Sequence, residues 1–159
     1  YSGLYSEEYL YGDVKKIIDQ YTTSTICMFR IVNLEEINKK CSRELGNEVV
    51  RQISRKVKNN ISDTYVFVRY MGPKFVIAFS GVDIESVADF INDIKNSIEN
   101  EKISLKDENG EVINNQETNV ILNFALSTYY KGTGLEEVLK KLEEYLDNAD
   151  KTESDITNI

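Results

Sequence analysis

Residues 68–79, VRYMGPKFVIAF, set the tightest limit on how this chain can fold. Two apolar, β-prone runs are separated only by Met71-Gly72-Pro73-Lys74. So short a break leaves room for a tight turn and nothing else, so the two runs must pair as an antiparallel hairpin. The turn has two readings: a simple closure of the hairpin, or a catalytic turn whose working residues have been replaced.

The rest of the chain alternates long helical stripes with strands. Residues 6–20 place Tyr9, Leu10, Val14, Ile17 and Ile18 at helical spacing, with Ser6 as a candidate N-cap. Residues 25–32, TICMFRIV, read as a buried central strand that Arg30 interrupts near its end. Residues 34–59 carry Leu34, Ile37, Cys41, Leu45, Val49, Ile53 and Val57 in helical steps along one face, with Gly46 as the candidate break between two helices. Residues 82–100 repeat the pattern with Ile84, Val87, Phe90, Ile91, Ile94 and Ile98. Residues 103–105 and 112–113 flank KDENGE, whose Asn109-Gly110 pair predicts a small peripheral hairpin. Residues 120–129 form a long strand, 131–134 a glycine-containing loop and 135–149 a final helix. Residues 151–159 are expected to be a polar, frayed tail. Strands separated by helices, plus one direct hairpin, predict a mixed sheet covered by helices.

Composition narrows the function classes. The chain of 159 residues is long enough for one domain with a real core. Its formal net charge of −8, with no basic cluster, argues against nucleic acid and against an anionic membrane surface. No apolar run approaches the roughly 18 residues of a membrane span. Histidine is absent, which removes imidazole bases, Ser-His and Cys-His nucleophiles and His metal ligands. The two cysteines, Cys27 and Cys41, form no CxxC pair and fit a reducing cytoplasm. The chain opens at Tyr1, inside what reads as a motif, so a fragment of a longer multidomain protein is expected.

Four segments, in order, resemble one family. SGLYSEEYL at residues 2–10 is similar to TGLxNRRxL, and FRIVNLEEINKKCSRELGNEVV at 29–50 is similar to DIDxFKxINDxxGHxxGDxxL. RYMGPKF at 69–75 stands at RYGGDEF, and VILNFALSTYYKGTGLEEVLKKLEEYLDNAD at 120–150 at the closing strand, loop and helix. Over residues 2–150 the chain resembles the GGDEF domain, the diguanylate cyclase module of bacterial signalling. The resemblance implies an α/β (α+β) fold, with a nucleotidyl cyclase-like βααββαβ core, a mixed central sheet covered by helices, and a small peripheral hairpin. The domain would span residues 1–150, followed by the polar tail at 151–159.

The resemblance also places the chemistry. In the family, two GTP molecules meet across a dimer of domains, each with magnesium held by carboxylates. One carboxylate position falls at Arg30 and the next at Pro73, third in the turn, while the Glu after it falls at Lys74. Cations at such places repel Mg²⁺. Met71 replaces the first glycine, and Gly72 and Phe75 are retained. Asn38 stands at the family's guanine-binding Asn, but Lys39 replaces the Asp after it. A late phosphate-contacting Lys falls at Asp150, and the inhibitory RxxD site reads Ser62-Asp63-Thr64-Tyr65.

The expectation is therefore a degenerate signature turn, Met71, Gly72, Pro73, Lys74 and Phe75, with no catalytic residue, no metal ligand and no cofactor. Candidate nucleotide-binding residues are Arg30, Asn38, Lys39, Gly72 and Lys74. Arg30 and Lys74 would form a small basic spot that either holds a phosphate or pairs with acids such as Glu35 or Glu36. The implied function is a non-enzymatic regulatory or interaction domain of a cyclic-di-GMP-type signalling protein. An alternative is a non-catalytic sensor of GTP or a cyclic dinucleotide, and a further one an active diguanylate cyclase. Expected partners are neighbouring domains or another signalling protein, GTP or cyclic di-GMP, and a second copy in a dimer. The expected location is the cytoplasm, including the cytoplasmic part of a membrane-anchored protein.

Overall fold

A strand buried on both faces must carry apolar or hydrogen-bonded small side chains throughout, and residues 24–29 do: STICMF is wholly buried. This is the middle of β1 (Thr23–Ile31), the central strand of the sheet. The computed structural model describes residues 10–40, 43–100, 103–106, 109 and 111–159. A π-helical turn, Leu10–Val14, leads into α1 (Lys15–Ile18) and β1. There follow α2 (Leu34–Lys40), α3 (Arg43–Asn60), β2 (Val66–Arg69), β3 (Lys74–Phe79) and α4 (Ile84–Glu99). Then come β4 (Ile103–Lys106), β5 (Val112–Thr118), β6 (Leu122–Tyr130), α5 (Leu135–Asn148) and β7 (Asp155–Asn158).

The five-stranded sheet has the order β2-β3-β1-β6-β7, and β4-β5 form a separate hairpin. All pairs are antiparallel except β6 with β7, so the sheet is mixed, as expected. Alternation along β1 divides the core. Cys27, Phe29 and Ile31 face α2, α3 and α4, where Ile37, Val49, Ile53, Val57, Val87, Ile91 and Ile94 close over them. Ile26 and Met28 face Val14, Ile18 and the α5 stripe of Leu135, Leu139, Leu142 and Leu146. Phe29 stacks on Phe75 at 5.0 Å and packs on Phe124 at 5.1 Å, which locks β1 to both neighbours. Cys27 is a fully buried free thiol, and burial raises its pKa far above the ordinary range.

Three expectations are revised. The tail is not frayed: β7 pairs with β6, and the Ile159 N–H donates to the Leu126 carbonyl at 2.8 Å. The helical stretch 34–59 holds two helices, α2 and α3, but Gly46 is not the break between them: it lies inside α3. Among the described residues the first helix is a π-helical turn, Leu10–Val14, running directly into α1, and it ends at Ile18, short of the expected residue 20. Ser6, Cys41 and Gly110 of the Asn109-Gly110 turn lie outside the described residues. Among the described residues, no helix is long and apolar enough to cross a membrane.

Candidate functional site

The turn between β2 and β3 is closed by its own backbone. The Tyr70 N–H donates to the Lys74 carbonyl at 2.9 Å, and the Lys74 N–H to the Met71 carbonyl at 3.0 Å. Gly72 has φ of 56°, the left-handed region that side chains disfavour. A Cβ there would meet nothing within 4 Å, so the demand for glycine is conformational and not steric. Arg69 Nε donates to the Gly72 carbonyl at 3.0 Å, and its guanidinium lies 5.9 Å from the Phe75 ring. The Pro73 carbonyl accepts from the Ile31 N–H at 3.0 Å, which ties the turn to the end of β1. Met71 projects at the tip, 53% exposed.

Across the sheet beside the turn runs a row of polar residues: Lys74, Arg30, Asn123 and Asp155 are successive register partners. Arg30 follows Ile26 and Met28 at the period of two, so it faces α5. Its Nη1 donates to the Leu146 carbonyl at 3.2 Å, a cation at the C-terminal end of a helix, where the dipole favours it. Lys74 reaches the same helix: Nζ lies 3.0 Å from Glu143 Oε2 and 2.7 Å from Asp147 Oδ1. Burial pulls the Lys74 ammonium toward deprotonation, but the bonds to Asp147 and Glu143 outweigh it and leave the pKa raised.

The structure thus brings Arg30, Lys74 and the turn together, as the sequence implied, but with different partners. Glu35 and Glu36, the acids expected to pair with this basic spot, instead hold Lys39 and Lys40 within α2, each at 3.3 Å. The acids that serve it, Glu143 and Asp147, were missed. Their signal is the spacing of four residues on the helix whose leucine stripe packs over the Arg30 face of the sheet.

Asn38 belongs to the packing of α2 on α3, and Lys39 does not. Lys39 is exposed. Asn38 Oδ1 is buried without a hydrogen-bond partner and lies against Gly46, where any Cβ would collide with it. Asn123 Oδ1, in the row beneath α5, is likewise buried and unpaired.

A magnesium ion needs several oxygen ligands. The side chains of Arg30, Pro73 and Lys74 supply none, and the two carboxylates facing Lys74 are already bound to it. Among the described residues, no three His, Cys, Asp or Glu side chains converge as a metal cluster. The residues at these positions do not fit a magnesium ion.

A family model described as the diguanylate cyclase GGDEF domain matches residues 2–155. No curated protein matches the chain by sequence. Among solved structures, the diguanylate cyclase SiaD from Pseudomonas aeruginosa, in complex with its activator SiaC, is similar with a TM-score of 0.84 at 11% identity. That match covers 99% of this chain and 60% of that one, so the chain spans less than two thirds of that relative. The coiled coil and GGDEF domain of DgcB from Caulobacter crescentus, in complex with c-di-GMP, gives 0.84 at 14% identity, over 99% of this chain and 83% of that one. The active GGEEF domain of a diguanylate cyclase from Vibrio cholerae gives 0.76 at 16% identity, over 97% and 96%. At such identities the structural likeness is one of fold.

The family match overturns one expectation. The substituted turn suggested a chain that is not an enzyme, but the family matched over nearly its whole length is an enzymatic one. Residue substitutions in one turn do not remove a chain from that family, and the non-enzyme assignment is withdrawn. The chain belongs to the GGDEF domain family of diguanylate cyclases.

Proposed function

We propose that this GGDEF domain serves as a regulatory and interaction module of a bacterial cyclic-di-GMP-type signalling protein. The observation that supports this most is Lys74, whose charge is neutralised inside the domain by Glu143 and Asp147. The turn is thereby held as a fixed surface with Met71 at its tip, a flexible apolar side chain suited to protein contacts. On this reading the departures from Gly-Gly-Asp-Glu-Phe mark a degenerate signature, and the partners are neighbouring domains or another signalling protein in the cytoplasm. SiaD, with its activator, and DgcB, with c-di-GMP, put a protein and a nucleotide among the candidates. The test is the full-length chain carrying Met71→Glu, expressed at the wild-type level in its host, with cellular cyclic di-GMP measured. A changed level is expected; an unchanged one refutes the reading.

A second reading, nucleotide binding, is favoured by Asn38. A buried amide oxygen without a donor is costly, and an N–H edge of a guanine would satisfy it. Thermal shift of the domain with GTP, GDP and cyclic di-GMP tests this. A ligand at a hundred times its Kd stabilises by about 2.7 kcal/mol, and no shift with any of the three retires the reading. The same incubation with GTP and Mg²⁺ measures formation of cyclic di-GMP, on which neither reading depends.

A further inference from the structure

α5 is gripped at both ends. At its N-terminal side, Lys15 Nζ donates to Asp19 Oδ2 at 2.8 Å, to Tyr129 Oη at 2.9 Å and to the Thr133 carbonyl at 3.3 Å. Tyr129 Oη donates to Asp19 Oδ1 at 2.6 Å, and the Gly132 N–H reaches the same oxygen at 3.4 Å. These bonds fasten α1 to the end of β6 and to the loop that starts α5. The Lys15 pKa is raised, by Asp19 first and Tyr129 next, so the ammonium is retained. At the other end, Glu143, Asp147 and the Leu146 carbonyl hold Lys74 and Arg30. Between the two grips, α5 is 14 residues long, about 21 Å at the helical rise. Its buried face is four leucines, none more than 2% exposed, and near its C-terminal grip Tyr145 Oη donates to Thr157 Oγ1 of β7 at 2.9 Å. A helix packed this way moves as one body.

We propose that α5 mechanically couples α1 to the signature turn, so that displacing α1 shifts α5 and loosens residues 71–74. This holds whatever the turn binds and is independent of the function proposed above. Coupling of this kind is reciprocal: loosening the turn must loosen the Lys15 grip by the same factor.

The test is hydrogen exchange on the whole 159-residue chain. The turn is reported by the amides of Ile31 and Lys74, bonded to Pro73 and Met71. The α1 grip is reported by those of Lys131 and Thr133, bonded to Thr22 and Tyr130. The amides of Ile26 and Cys27 in mid-β1 are the reference. Lys15→Met is expected to speed exchange at Ile31 and Lys74 by about fivefold, with the reference amides unchanged. Lys74→Met is expected to do the same at Lys131 and Thr133. Asp19→Asn, which keeps the shape and removes one charge, is expected to produce the same acceleration and replaces Lys15→Met should that variant not fold. Accelerated Lys131 and Thr133 with unchanged Ile31 and Lys74 would overturn the proposal. Equal acceleration throughout β1 would overturn it as well, because that is global destabilisation and not coupling between two sites.

Discussion

Replacing Lys74 by Met removes one charge and leaves the aliphatic stem of the side chain in place. In the wild type the Lys74 side chain is 12% exposed, and its ammonium sits between Glu143 and Asp147, whose side chains are 24% and 49% exposed. Stripping one partner from a fully buried pair costs about 3–5 kcal/mol, whereas an exposed pair is worth at most about 1. The site lies between these limits. Asp147 keeps much of its hydration, and the Arg30 guanidinium remains nearby on the Leu146 carbonyl. The two carboxylates, four residues apart on one helix, would then repel each other by about 0.2–0.5 kcal/mol. The sum is about 2 kcal/mol, or about 4–8 °C in Tm for a chain of this size. Differential scanning calorimetry at neutral pH checks it. A fall of less than about 1 °C, or a rise, would show that the ion pair does not hold the turn to α5.

The pH dependence follows from the direction of the shift. Lys74 has its folded pKa raised above the ordinary 10.5. Its contribution is therefore complete below 10.5 and disappears as pH climbs through the folded pKa. Between neutral pH and pH 10, wild type and Lys74→Met should run parallel, and they should converge only above that. Convergence on the acid side near pH 7 would assign the effect to another group.

Gly46→Ala gains about 1 kcal/mol of helix propensity and drives the Asn38 amide out from against α3. Since Asn38 Oδ1 has no hydrogen bond to lose, Tm is expected to hold or rise, while any nucleotide-induced shift that depends on Asn38 disappears. Cys27 is expected to stay unmodified by iodoacetamide in the native state, as read by peptide mass mapping, because burial keeps its thiol protonated and inaccessible. Truncation after Asp150 removes β7, uncovers the edge of β6 and breaks the Tyr145–Thr157 hydrogen bond of 2.9 Å. Tm is expected to fall, and the shortened chain to aggregate more readily through its open edge.

The elements that sequence periodicity could see are those whose burial repeats at a fixed period. β1, the hairpin, α4 and α5 fall within a few residues of their predicted bounds because apolar side chains mark them directly. β7 had no such mark. Of its four residues only Ile156 is apolar, and it is a strand because β6 offers it an open edge, a non-local cause. Gly46 was misjudged for a similar reason. Read locally, glycine weakens a helix; in the fold, its missing Cβ makes room for Asn38. At the candidate site, the residue types of the turn were legible and their partners were not. Register alone sets Arg30 beside Lys74, but Glu143 and Asp147 arrive only once α5 has packed across the sheet.

That last difference bears on the nucleotide-binding reading, because it decides which end of a nucleotide would meet a competitor. With 27 acidic and 19 basic residues, a half-buried cation in this chain more readily finds a carboxylate than stays free for a ligand. Lys74 found two. A phosphate arriving there must displace carboxylates tethered to the same fold, which act at high effective concentration. The base end has no such competitor, since Asn38 Oδ1 is buried and unpaired. If the Asn38 reading holds, affinity should come from the base, and guanosine should shift Tm nearly as far as GTP at equal concentration. An Asn38→Leu variant should lose both shifts, while Lys74→Met should leave the guanosine shift intact. A GTP shift that guanosine lacks would place recognition at the phosphates, and would mean that Glu143 and Asp147 give Lys74 up.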